Sequence, residues 1–187
     1  MSDIPLQSTT SPEEWQILAE RVAAHVRGYL RGLEGVARGE AGSRAVPLLL
    51  LEVSQVILAG AQLGASTDVI PPDNWEPELG PDPDLDDIRT GLAERLAPVD
   101  DYAEVFDPIK DTDATAYRLS DDLVDVAGDL IHGLRHYERG RPLEALWWWQ
   151  YSYFNHWGNH AGAAQRALYA IIADARLDVA DETPALP

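Results

Sequence analysis

Residues 145–162 read "ALWWWQYSYFNHWGNHAG" and hold four of the chain's six tryptophans and two of its five histidines. Whether this stretch lines an active site or forms the seam of a helical core decides the fold. Plotted at about 100° per residue, Leu143, Leu146, Tyr153, Phe154, Trp157, Ala161, Ala164, Leu168, Ile171 and Ile172 share one sector. Trp149, His156 and His160 fall on one flank and Trp147 and Tyr151 on the other, while Trp148, Asn155 and Asn159 point away as the wettest side. This pattern predicts one long central helix that starts at Pro142 and reaches about residue 174. Gly158 and Gly162 interrupt it, each at a cost of about 1 kcal/mol relative to alanine. Close approach of a neighbouring helix would offset that cost, and Gly28 and Gly32 repeat the spacing of four on the first helix.

The preceding segment, "SDDLVDVAGDLIHGLRHYERG" at 120–140, sorts into two faces. Leu123, Val126, Ala127, Leu130, Leu134 and Tyr137 make an apolar stripe, and Ser120 is expected to cap a helix over 121–139. Asp122, Asp125, Asp129, His132 and His136 line the opposite side. Carboxylates leading into imidazoles are the donor types of a hydrolytic metal site, and Asp129-x-x-His132 echoes the carboxylate–histidine pairs of bundle di-metal proteins. The helix dipole accounts for acids at the start and bases at the end without any ligand. It does not account for Asp125 and Asp129, a like-charge pair four apart. His156 and His160 are likewise four apart, a spacing at which two imidazoles can share one cation, although no glutamate of an H-E-x-x-H motif lies between them. Because only "RGRP" joins the two helices, they are expected to be antiparallel neighbours. A site built from Asp125, Asp129, His156 and His160, with His132 and His136 as substitutes, then requires the acid stripe to face the last helix.

Further upstream, "SPEEW" supplies an N-cap serine, a proline at the first helical position and Glu14 for a capping box. It opens a helix whose apolar stripe runs from Trp15 to Val36. A second helix spans 45–64; its apolar run from Pro47 is interrupted by Glu52 and Gln55 and falls short of the roughly 20 residues a membrane span needs. Residues 65–84 form an acidic, proline-rich crossover loop in which Trp75 could anchor to the body. A short helix over 85–97, capped by Asp84, and extended pieces near 102–106 and 114–117 follow. The fold class is therefore all-α: an antiparallel helical bundle with a long crossover loop, one domain over 11–177 between a disordered N-terminus (1–10) and a flexible tail (178–187).

Composition narrows function more than any motif. The absence of cysteine excludes disulfides, thiolate metal sites and cysteine nucleophiles. A single lysine, Lys110, and no glycine-rich phosphate loop argue against Schiff-base and P-loop chemistry. The formal net charge is −18, which repels nucleic acid and anionic membranes. Fifteen acids against three bases fall between residues 66 and 113, so Asp82, Asp84, Asp86 and Asp87 are candidate contacts for a protein with a basic surface.

Asp121-Asp122-Leu123, Asp125-Val126, Asp129-Leu130 and Gly133-Leu134, followed by Trp147, Trp149, Tyr153, His156-Trp157-Gly158 and His160, resemble a family of uncharacterised bacterial proteins found in high-GC genomes. The likeness is strongest in the C-terminal third. Tyr153 stands where the family more often carries phenylalanine. The resemblance implies a helical single domain and no particular activity. The expectation is a soluble, cytoplasmic, non-enzymatic protein that binds another protein through its acidic surface. The alternative is a metal-binding protein or metal-dependent hydrolase. No cofactor is expected beyond a divalent metal in that alternative, and an exposed Trp148 would favour self-association.

Overall fold

The computed structural model describes residues 11–71, 79–105 and 107–177. The terminal segments, Trp75 and the end of the first extended piece at Phe106 lie outside the described residues. Helix α1 (Pro12–Ala37) opens with the expected reciprocal cap. Ser11 Oγ accepts the Glu14 N–H at 3.2 Å, and the Glu14 carboxylate accepts the Ser11 N–H at 2.6 Å. Its buried stripe includes Val22, Val26, Leu33 and Val36, and the Tyr29 hydroxyl donates to the Leu123 carbonyl at 2.7 Å. Helix α2 (Ala45–Gly64) packs against α1 with Leu49, Val53, Val56 and Leu63 inward. Together with the turn before it, Gly42–Gly64 makes a 23-residue stretch that is long and apolar enough to cross a bilayer, a correction to the sequence reading that the run falls short of a span. It is the one such helix among the described residues, so no multi-span membrane architecture is present among them. Here one side of it is covered by α1 and the last helix, while Leu51 and Leu58 on the other are more than half exposed.

Gly28 and Gly32 do not meet Gly158 and Gly162. They make room for Glu52 of α2, whose Oε2 would sit 3.0 Å from a Cβ added at Gly28. The two-glycine pairing read from the sequence therefore gives way to a glycine notch filled by a long side chain.

Helix α3 (Asp86–Leu96) packs on α1 and starts one residue later than expected, with Leu85 and not Asp84 at its N-cap; Asp84 Oδ1, one residue further back, accepts the Asp86 N–H at 3.3 Å. The two extended pieces pair as an antiparallel hairpin, β1 (Asp101–Glu104) against β2 (Thr115–Arg118), with Tyr102 opposite Tyr117. Helix α4 (Leu119–Glu138) begins two residues earlier than predicted, and Ser120 is not its cap. The cap comes from elsewhere: buried Asp100 accepts the Ser120 N–H at 2.7 Å and its hydroxyl at 2.9 Å. The same carboxylate takes Arg118 at 2.8 Å, so one side chain just before the hairpin closes it and starts α4. A local sequence rule finds serine; the fold uses an aspartate twenty positions away because it can satisfy several donors at once.

The long terminal helix is two helices. α5 (Pro142–Ser152) and α6 (Gly158–Leu177) are joined by a wide π turn, Tyr153–Trp157, in which the Gly158 N–H reaches the Tyr153 carbonyl five residues back. A Cβ at Gly158 would collide with that carbonyl, which explains this glycine without a neighbouring helix. Gly162 has nothing within 4 Å of its Cβ position. The turn carries Phe154 outward, 66% exposed against the expectation, and keeps Trp157 buried. Trp149, assigned to a flank by periodicity, is fully buried and donates Nε1–H to the Leu130 carbonyl at 3.0 Å across Gly133. Burial of two indoles at this seam is worth about 3–5 kcal/mol each by the cost of truncation to alanine. α5 and α6 run back along α4 as antiparallel neighbours, and the apolar stripe of α4 turns towards the core.

Candidate functional site

The acid stripe of α4 faces the last two helices, and the register matches the hairpin argument. His156 Nδ1 lies 2.8 Å from Asp129 Oδ2, and His160 Nδ1 lies 2.6 Å from Asp122 Oδ1. The two imidazoles are neighbours, with ring centres 4.6 Å apart. Asp122 is almost wholly buried, and its other oxygen accepts the hydroxyl of Tyr102 from β1. Three elements thus meet at one carboxylate. Arg89, on α3, donates to Asp121 Oδ1 at 2.6 Å and to Asp125 Oδ1 at 3.0 Å. That bridge neutralises Asp125, one member of the Asp125–Asp129 pair that the helix dipole left unexplained, while Asp129 turns to His156.

His132 packs at a tilt of 40° against Trp148 with ring centres 5.0 Å apart, and its Nε2 lies 3.2 Å from Asp82 Oδ1 on the crossover loop. Its Nδ1 is buried and has no hydrogen-bond partner. Trp148 is not the wettest residue of its helix: it is partly buried and donates Nε1–H to the Asp129 carbonyl at 3.0 Å. His136 is fully buried at the other end of α4, 3.0 Å from Glu144 of α5, where it closes the α4–α5 turn and takes no part in the cluster. The Arg135 guanidinium holds the loop on the Pro81 carbonyl at 2.6 Å.

These contacts frame a pocket of about 370 Å³ between the start of α3 and the middle of α4. Asp82, Asp86, Asp125, Asp129, His132 and His156 line it together with Arg89. Six of the ten candidate residues named from the sequence therefore share one cavity. His160 and its partner Asp122 belong to the adjoining pair, and neither lines it. Asp84 and Asp87 are exposed on the rim side of α3 and do not line it. The residues that sequence reasoning missed are Arg89, Asp121 and Tyr102. Arg89 carried a signal, as one of three bases in the acidic stretch; Tyr102 carried none, because its partner is twenty positions away.

The electrostatics distinguish the two pairs. The bond to Asp122 raises the His160 pKa, burial opposes it, and the charges of Asp122, Asp125 and Asp129 add to the rise. Burial pushes the Asp129 carboxyl up, and the hydrogen bond from His156 pulls only part of the way back. The Tyr102 hydroxyl is raised far above its ordinary value by burial and by its bond to Asp122, so it stays a donor.

The sequence alternative of one metal centre asks Asp125, Asp129, His156 and His160 to converge. They are instead divided between two carboxylate–imidazole pairs and the Arg89 bridge. Among the described residues no group of three or more histidines, cysteines or carboxylates is placed to hold a metal ion.

The model of a domain of unknown function, DUF5063, matches residues 13–174. No curated protein matches the chain. Among solved structures, the fold is similar to the crystal structure of protein BF1032 from Bacteroides fragilis, with a TM-score of 0.65 and 21% identity over 81% of this chain and 90% of that one. The chain belongs to the DUF5063 family.

Proposed function

We propose that this DUF5063 protein is a soluble, cytoplasmic binding protein that docks a basic segment of another protein on the acidic face where the crossover loop enters α3. The observation that carries this reading is the state of the carboxylates there. Asp84, Asp86 and Asp87 are exposed, and among the described residues none of them pairs with a basic side chain. Among the described residues Asp82 reaches only His132, with its own side chain 95% exposed. Exposed, uncompensated charge of one sign steers an oppositely charged partner and makes binding sensitive to salt. Replacing Asp82, Asp84, Asp86 and Asp87 together by asparagine is expected to leave the helical circular dichroism unchanged. The same variant should lose salt-sensitive binding of an arginine-rich oligopeptide and of any cellular partner captured by the wild type. Retention of both by the fourfold variant would sink the reading. A metal-dependent hydrolase has no comparable support, since the residues it needs are already engaged in pairs.

A further inference from the structure

Helix α2 is buried on one side only: no more than a third of its most apolar 18-residue window is covered within the fold. The uncovered side is ordered. Pro47, Leu51, Ser54, Leu58 and Ala61 follow one another at spacings of four, three, four and three, the heptad repeat of a helix–helix seam. Ser54 is partly buried and the other four are exposed. The Ser54 hydroxyl is already satisfied, donating to the Leu50 carbonyl at 2.7 Å and accepting from Gln165 at 3.0 Å, so a covering helix strands no polar atom there. The stripe carries no charge in a chain of net −18, because Glu52, the one charged residue of α2, fills the notch at Gly28 and Gly32. Beside it a groove of about 490 Å³ separates α2 from α6, lined in part by Gly162 and Tyr169. Gly162 stands exposed in mid-helix, where alanine is the better helix former, with no described residue within 4 Å of its Cβ position.

The two ends of α2 indicate what covers it. Arg44 holds the N-cap position, against the positive pole of its own helix, and has no ion-pair partner among the described residues. Asp68, exposed and likewise unpaired among them, lies just past the negative pole. A second α2 laid antiparallel reverses both conflicts, since it sets each Arg44 beside the last carbonyls and Asp68 of the other copy.

We propose that α2 is a self-association face on which two copies of this chain pair antiparallel about a two-fold axis at Ser54. Leu51 then meets Leu58 of the other copy, and Pro47 meets its Ala61, so the patch is complementary to itself, as an isologous contact requires. Twenty residues at 1.5 Å each give a seam about 30 Å long, and two helix widths make it about 20 Å broad. The resulting footprint of about 600 Å² a side falls below the about 800 Å² of a standard stable interface, so the dimer is reversible and not obligate. The seam shares no residue with the acidic docking face, and either can stand without the other.

The test is sedimentation equilibrium of the whole chain over a concentration series, with helical circular dichroism as the control for folding. The wild type should pass reversibly from the monomer mass to twice that mass in the micromolar range. Leu58→Glu should abolish the dimer and keep the helical signal, because that side chain is more than half exposed in the single copy. Arg44→Glu should weaken the dimer about tenfold without loss of fold stability, since an acid at this end suits the dipole of α2 itself. Adding Asp68→Arg to Arg44→Glu should restore the affinity by remaking the pair with its signs exchanged. The chain has no cysteine, so Ser54→Cys reads the register directly. A short bis-maleimide should join two copies of that variant and should fail with Ser43→Cys, which the antiparallel pairing sets at opposite ends. A monomer throughout the series, or a dimer indifferent to Leu58→Glu, overturns the proposal. Cross-linking through Ser43→Cys, or a dimer that Arg44→Glu leaves unchanged, overturns the antiparallel pairing. Flotation with phosphatidylcholine vesicles by a monomeric wild type, lost in Leu58→Glu, overturns the second copy as occupant and makes the face a lipid contact.

Discussion

Two carboxylate–imidazole pairs stand side by side, both acids on α4 and the histidines on the π turn and the first turn of α6, and they have opposite characters. Asp122–His160 is closed: both side chains are largely buried, and Tyr102 takes the second oxygen of the carboxylate. Asp129–His156 is open: the histidine is half exposed and lines a pocket. Identical chemistry, with the acids seven apart on α4 and the histidines four apart across the junction of the π turn and α6, thus yields a structural clamp in one place and a candidate ligand contact in the other. The lesson is that pairing does not identify function; what remains uncovered around the pair does.

The sharpest way to break this comparison is to remove each carboxylate in turn. Asp122→Ala leaves His160 and Tyr102 facing an empty buried site and is expected to cost about 3 kcal/mol, the scale of a broken buried pair. Urea unfolding would show it, and a loss under about 1 kcal/mol would mean the clamp is ornamental.

A second, smaller contrast lies in pH. The folded chain raises the His160 pKa above its ordinary 6.5. The pair's contribution is therefore complete below that value and is lost as pH rises through the folded pKa of His160. Stability measured from about pH 6 upwards should decline, and His160→Gln should flatten that decline while His156→Gln leaves most of it. An identical slope in wild type and His160→Gln would show that the proton is held elsewhere.

The smallest effect is expected at the open pair. Asp129→Ala should cost about 1 kcal/mol or less, because half of the His156 side chain already meets water. A loss as large as that of Asp122→Ala, in the same unfolding measurement, would erase the distinction between clamp and contact.

Much of the fold was legible because its signals are local. The Ser11–Glu14 capping box, the α1 and α2 spans and the two faces of α4 follow from neighbours within a turn or two. Candidate residues Asp125, Asp129, His132 and His156 were legible for the same reason, as stripes on helices, and the short α4–α5 connection set which rows would meet. The failures share one cause. Ser120 looked like a cap, but Asp100 does the capping from before the hairpin. Periodicity made one helix of 142–174, but the π turn at Gly158 shifted the phase, so Phe154 went out and Trp149 in. His136 kept the stripe's chemistry and was drawn away to Glu144.

By itself, then, the sequence determined which segments are helical and that acid and imidazole would share a face of α4, because each is a repeat of three or four residues and needs no distant partner. Only the tertiary structure decided that this face would be covered by α5 and α6, that Arg89 would absorb two of its charges and Tyr102 would seal Asp122. Those contacts join residues tens of positions apart, where burial and charge compensation, and not local propensity, select the partner.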